Sequence, residues 1–155
     1  MTARGERARA RSLARLGAVQ ALYQMDLAGT DLADVCAEFE AHRLGRDVDG
    51  NEIGPADAAF FRDLVTGVVR EQSKLDPDID RHLAEGWRLT RIDSTLRAIL
   101  RAGAYELGHR RDVPVRVVLD EYVELAHAFF DGDEPGVVNG LLDRIARRVR
   151  AEELA

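Results

Sequence analysis

Leu89, Ile92, Leu96, Ile99, Leu100, Gly103 and Leu107 follow one another at spacings of three and four, with Ile99 and Leu100 adjacent. A repeat of that period buries one continuous face only on an α-helix. The spacing predicts a helix over 91–107, entered through Thr90 with Asp93 three residues on as a weak capping box, and makes it the central core helix of the C-terminal half. A glycine inside a helix costs about 1 kcal/mol against alanine, so Gly103 marks a close approach to a neighbouring helix.

The same period recurs along the chain. Leu16, Val19, Tyr23 and Leu27 form an apolar stripe on a first helix over 7–27, and Gly29 with Thr30 and Asp31 stops it and caps a second, Leu32 to Leu44. Pro55 opens a third helix, with Phe60, Phe61, Leu64, Val65, Val68 and Val69 on its inner face. A break at Ser73 to Asp76 and the pair Asp76-Pro77 start a short fourth helix ending near Gly86. Pro114 opens a sixth, with Val115, Val118, Leu119, Tyr122, Ala126 and Phe129 in register. After a turn over 131–136, Val138, Leu141, Leu142, Ile145 and Val149 form the seventh. Arg144, Arg147, Arg148 and Arg150 at its end suit the helix macrodipole as well as they suit RNA. No stretch alternates apolar and polar residues long enough for a strand, so the fold class is all-α.

Charge is unevenly spread. Residues 1–25 hold five of the 22 basic residues (Arg4, Arg7, Arg9, Arg11, Arg15) and one of the 28 acidic ones (Glu6), so the remainder carries 17 against 27 and the chain is −6 overall. On the first helix Arg7, Arg11 and Arg15 lie at i, i+4 and i+8 and make one basic row. A basic start on an acidic chain points to a local anion site, for which nucleic acid is the natural ligand, and to an acidic surface for other partners. Charge alone leaves a solvated arginine arm as the alternative.

Catalytic constellations are absent: no GxSxG, HExxH, phosphate-binding glycine loop or GxGxxG after a strand. His42, His82, His109 and His127 are scattered without ligand spacing. Asp47-Val48-Asp49-Gly50-Asn51 resembles the start of a calcium loop, but position 6 is Glu52 instead of glycine and position 12 is Ala58 instead of glutamate. It reads as a polar loop, and no metal or cofactor is expected. Cys36, the only cysteine, excludes an internal disulfide and reads as a small buried hydrophobe. No apolar run approaches the ~18 residues of a membrane span, and no secretory signal opens the chain. The expected compartment is the cytoplasm, and the expected class is non-enzymatic.

Five blocks are recognisable in order: AVQALYQMDLAG (Ala18 to Gly29), FFRDLVTGVV (Phe60 to Val69), RAILRAGAYEL (Arg97 to Leu107), DVPVRVVLDEYVELAHAF (Asp112 to Phe129) and VVNGLLDRIAR (Val137 to Arg147). Together they resemble the NusB transcription antitermination factor family over about residues 11–149. The resemblance implies seven helices in two helical subdomains, 1–74 (helices one to three) and 75–150 (helices four to seven), within a single domain over 1–155. It implies binding of boxA RNA in ribosomal-RNA leader transcripts together with NusE, a ribosomal small-subunit protein, and entry into the RNA polymerase elongation complex through other Nus factors. A homodimer that hides the RNA surface is compatible with it.

Carried over by position, Arg11 and Arg15 match family arginines, Tyr23 and Tyr105 match family tyrosines, and Asn139 matches the asparagine of VNG; Arg7 and Arg9 extend the basic row upstream. Tyr23 and Tyr105 also fit core positions, and Asn139 also fits a brace for the last helix. Ser12 and Leu13 stand where some relatives have an unbroken arginine cluster. Gly136 and Val137 stand where relatives often carry a basic residue and phenylalanine, so contact here would lean on phosphates more than on stacking. A helical protein-interaction module without specific RNA binding is the alternative function. Similar domains occur fused to RNA methyltransferases, but a length of 155 residues leads us to expect no catalytic domain.

Overall fold

The computed structural model describes residues 2–47 and 49–154 and is all-α, with no strand among the described residues beyond one isolated antiparallel bridge, Arg46 to Glu52. Its elements are α1 (Ala3–Ala28), α2 (Leu32–Glu38) continued by a π-helical turn (Phe39–Arg43), α3 (Ala58–His82), α4 (Ser94–His109), α5 (Val115–Phe129), α6 (Glu134–Val149) and α7 (Ala151–Leu154). The chain forms two compact units, 1–69 and 70–155, and the division falls inside α3.

In the first unit, α1 begins a turn earlier than its apolar pattern suggests because Thr2 caps it: the Thr2 hydroxyl accepts from the Gly5 N–H at 3.0 Å. Gly29, at φ 67°, ends it in the left-handed conformation. The core face of α1 is Ala14, Arg15, Ala18, Val19, Ala21 and Leu22; of the expected stripe, Tyr23 and Leu27 are exposed. Small residues here admit close neighbours. A Cβ on Gly17 would lie 2.5 Å from Leu44 Cδ2. Phe39 and Phe61 stack at 5.8 Å, and Cys36 is buried beside them, its thiol pKa raised by burial. The expected helix 32–44 loosens at Phe39 into the π turn, which buries Phe39 and lays the exposed Arg43 over its ring at 4.2 Å. Val48 lies outside the described residues; around it, Asp47 Oδ1 accepts from the Asp49 and Asn51 N–H groups, so that carboxylate serves the turn.

The second unit corrects two expected boundaries. The break at Ser73 to Asp76 does not occur: α3 runs through Pro77 to His82. A proline inside a helix costs about 3 kcal/mol, but Leu75 and Ile79 on either side are buried at i and i+4, and Asp76 receives a bidentate pair from Arg101 at 2.8 and 2.8 Å. Tertiary packing therefore carries the helix past the proline. The central helix starts at Ser94, not Arg91, because Asp93 is itself the N-cap, accepting from the Thr95 N–H at 2.7 Å. So the seven α-helices are reached by merging the expected third and fourth and adding α7.

Helices α4, α5 and α6 pack against one another. Gly103 sits where expected, with its missing Cβ only 2.8 Å from Leu142 Cδ1 and 3.3 Å from the Tyr122 ring. Tyr122 donates its hydroxyl to the buried Glu106 carboxylate at 2.8 Å. Arg150, read from sequence as a last-turn cation, is instead 1 % exposed. Its Nε donates to the Leu107 carbonyl at 2.8 Å; Nη1 donates to Val113 O at 2.7 Å and Glu153 Oε1 at 2.9 Å; Nη2 donates to Arg110 O at 2.8 Å and Glu106 O at 3.4 Å. Five acceptors thus meet the five N–H donors of one guanidinium. The short α7 exists to return Glu153, whose other oxygen accepts from the Val115 N–H at 2.7 Å; that backbone bond first, then Arg150, holds the carboxyl pKa below its usual range.

Replacing Arg150 by methionine keeps the volume but takes the guanidinium donors from the Leu107 and Val113 carbonyls and the Glu153 carboxylate, while Glu106 O and Arg110 O keep only their backbone bonds from Arg110 and Val113 N–H. We expect Arg150→Met to lower unfolding free energy in urea by roughly 3–5 kcal/mol. The exposed Arg147→Met should stay within about 0.5 kcal/mol of the parent. Equal, small losses would show that Arg150 does not hold the end of α4.

Candidate nucleic-acid interface

Four consecutive residues on an α-helix turn through about 400°, so each i to i+4 step advances about 40° around the axis. A row begun at Arg7 in solvent has therefore rotated about 80° by Arg15, and the structure shows the consequence. Arg7 is exposed, Arg11 is half-buried, and Arg15 is 2 % exposed, on the same face as Ala18 and Leu22.

Each inner arginine has a structural seat in the first unit. Arg15 lies over the Phe60 ring at 5.0 Å, and Arg11 lies over the same ring at 4.5 Å with Nε 3.6 Å from Asp57 Oδ2. Asp57 is fixed in turn: its N–H donates to Ala10 O at 3.0 Å, and its Oδ1 accepts from the Phe60 N–H at 3.0 Å, capping α3. Arg9 is exposed but donates to the Ile53 carbonyl at 2.7 Å, tying the 44–57 loop to α1. No hydrogen bond or ion pair among the described residues holds Arg4 or Arg7.

The exposed cations therefore cluster at the first two turns of α1, where the unpaired N–H groups add about half a positive charge. Arg4 belongs to this group, although it lies off the row at i, i+4, i+8. The sequence signal for it is Thr2, a capping residue that starts the helix upstream of that row.

Tyr23, two turns beyond Arg15, is 39 % exposed. Tyr105, in the second unit, is 2 % exposed. Its hydroxyl accepts from Arg70 Nη2 at 3.3 Å, and its ring stacks on His109 at 4.7 Å. Asn139 lies exposed on α6, and no cap or brace is made by its side chain among the described residues. The bracing role read for it from sequence is thus not seen. Among the described residues no group of three His, Cys, Asp or Glu could hold a metal ion. No described helix is long and apolar enough to cross a membrane.

A family model described as the NusB family matches residues 12–147. The chain is 60 % identical over 156 residues to the transcription antitermination protein NusB of Rhodopseudomonas palustris strain TIE-1, covering 100 % of this chain and 90 % of that one. It is 60 % identical over 150 residues to the protein of the same name from Nitrobacter hamburgensis, covering 97 % and 94 %. Among solved structures, T. maritima NusB matches with TM-score 0.74 at 30 % identity over 96 % of both chains. A crystal structure of the antitermination factors NusB and NusE in complex with dsRNA matches with TM-score 0.73 at 27 % identity, covering 90 % of this chain and 98 % of that one.

The geometry separates stability from binding. Arg15→Glu places an unmatched carboxylate in the core and should cost roughly 3–5 kcal/mol in urea unfolding, whereas Arg7→Glu should change stability by no more than about 0.5 kcal/mol. Similar midpoints for the two variants would contradict the assignment.

Proposed function

Since the chain belongs to the NusB family of transcription antitermination factors, we propose that it is a non-enzymatic adaptor that binds boxA-type single-stranded RNA of ribosomal-RNA leaders together with NusE. It works in the cytoplasm and joins the RNA polymerase elongation complex through other Nus factors. The observation that carries this reading is the exposed cluster Arg4, Arg7 and Arg9 on the capped start of α1, in a chain whose net charge is −6.

Phosphates provide most of the affinity of such a site and no sequence information. Arg4, Arg7 and Arg9 would meet them directly. Arg11 and Arg15 act as positioning residues: seated on Phe60, they hold the first turns of α1 at a fixed angle to the loop that Arg9 anchors. Tyr23 and Asn139, both exposed, are the candidates for base contacts. Tyr105 is buried and contributes by backing His109. The acidic remainder suits a basic partner such as a ribosomal protein, and charge complementarity of that kind mainly speeds and selects association. A homodimer covering α1 would compete with RNA for the same arginines.

The test is a fluorescence titration of a boxA-like RNA and a scrambled RNA, with and without NusE, at several salt concentrations. Arg4→Glu/Arg7→Glu should weaken boxA binding about ten-fold or more and flatten the slope of log K against log salt by roughly 1.4, about 0.7 for each phosphate no longer neutralised. NusE should tighten boxA binding over scrambled RNA. Equal binding of both RNAs, or indifference to NusE and to the variant, would favour a protein-interaction module without specific RNA binding.

A further inference from the structure

The second unit carries a cleft of about 510 Å³ whose charged lining includes Lys74, Asp78, Arg81, His109, Arg111 and Arg148. One carboxylate organises much of it. Asp78 lies 3.5 Å from Arg81 Nη1 and 3.5 Å from His82 Nδ1, and its second oxygen accepts from Arg148. Two guanidinium groups and a histidine thus share a single negative charge. Lys74 is 84 % exposed, with Glu71 only as near as 4.0 Å. Arg111 is steered by Val149 O at 2.7 Å and by Glu152 at 2.8 Å.

Four permanent cations line the cleft; Glu71, Asp78 and, beside the cleft, the Glu152 that pairs with Arg111 offset three of them, which leaves an excess of one positive charge in a chain of −6. A concave wall on which cations outnumber carboxylates favours anions over the rest of an acidic surface. A ring stands among them: His109 is exposed and stacks nearly parallel on the buried Tyr105, at 4.7 Å and 13°, and Arg70 holds the Tyr105 hydroxyl. A flat, backed ring beside several cations is the arrangement on which single-stranded nucleic acid binds, phosphates on the charges and a base on the ring. An acidic protein segment would use the cations and leave the ring idle.

We infer that this cleft is a second RNA contact, separate from the start of α1, in which Lys74, Arg81, Arg111 and Arg148 face the phosphodiester backbone and His109 stacks a base. The inference deepens the RNA-binding reading above and rests on it, but it names a different surface.

The experiment titrates the full chain with fluorescein-labelled single-stranded boxA-like RNA and, in parallel, with inorganic polyphosphate. The variants are Lys74→Gln/Arg81→Gln, whose side chains are exposed, His109→Ala, His109→Phe and, separately, Arg4→Glu/Arg7→Glu. Circular dichroism confirms that each is folded. Lys74→Gln/Arg81→Gln should weaken RNA binding roughly ten-fold and flatten the log–log salt slope by about 1.4. His109→Ala should weaken it about five-fold or more without altering that slope, and His109→Phe should restore it. Polyphosphate, which has no bases, should not respond to His109→Ala.

Unchanged RNA affinity and slope for the cleft variants, with weakening confined to Arg4→Glu/Arg7→Glu, overturns the cleft and leaves the α1 site standing. Weakening in the cleft variants alone keeps the cleft and overturns the α1 site. Sensitivity to Lys74→Gln/Arg81→Gln with none to His109→Ala overturns the RNA contact in favour of a general anion or an acidic protein segment. No RNA binding by the parent chain overturns both sites.

Discussion

A guanidinium has five N–H donors, no acceptor and a charge it does not shed, so it enters a protein interior only where acceptors converge on it. Arg150 meets that condition at the point where three elements end or begin: the last turn of α4 through Glu106, Leu107 and Arg110, the following loop through Val113, and the start of α5 through Glu153 and the Val115 N–H. Carbonyls at a helix C-terminus have no partner within the helix. Here one side chain from the end of α6 donates to Leu107 O and adds a second donor to Glu106 O and Arg110 O, which also accept from the Arg110 and Val113 N–H groups.

The same chemistry sorts the remaining arginines. Those that a ring or a carboxylate can seat become structure: Arg15 and Arg11 on Phe60, Arg101 on Asp76, Arg62 on Glu40. Exposed pairs of this kind contribute little energy each, but they neutralise cations that would otherwise attract anions anywhere on the surface. Anion binding is then favoured where cations outnumber the acids beside them, and the first turns of α1 and the cleft around Asp78 are the two places we propose. A protein acidic overall can in this way hold RNA locally and still repel it elsewhere.

How much of this is legible in the sequence varies with the range of the interaction. Periodicity locates α1, α4, α5 and α6, Gly29 marks the end of α1, and Gly103 announces a close contact, because each is a local property of spacing or backbone freedom. Pro77 misleads because its cost is local while Leu75, Ile79 and the Arg101–Asp76 pair that outweigh it are not. Arg150 is invisible for the same reason: its backbone acceptors lie 37 to 44 residues away. Arg15, Ala18 and Leu22 fall at i, i+3 and i+7, which is a core spacing, but an arginine on that stripe reads as surface until Phe60 is seen beneath it. The basic start of α1 is legible as charge; its division into seated and exposed cations is not.

We propose that RNA binding depends on that division as the fold does, and arginine side-chain Nε–H signals measure it directly. In the free protein they should be slow to exchange with solvent for Arg150 and Arg15 and fast for Arg4 and Arg7. On adding boxA-like RNA, Arg4, Arg7 and Arg9 should shift while Arg150 and Arg15 stay in place. Fast exchange at Arg150, or RNA-induced shifts concentrated at Arg15 with none at Arg4 and Arg7, would contradict it.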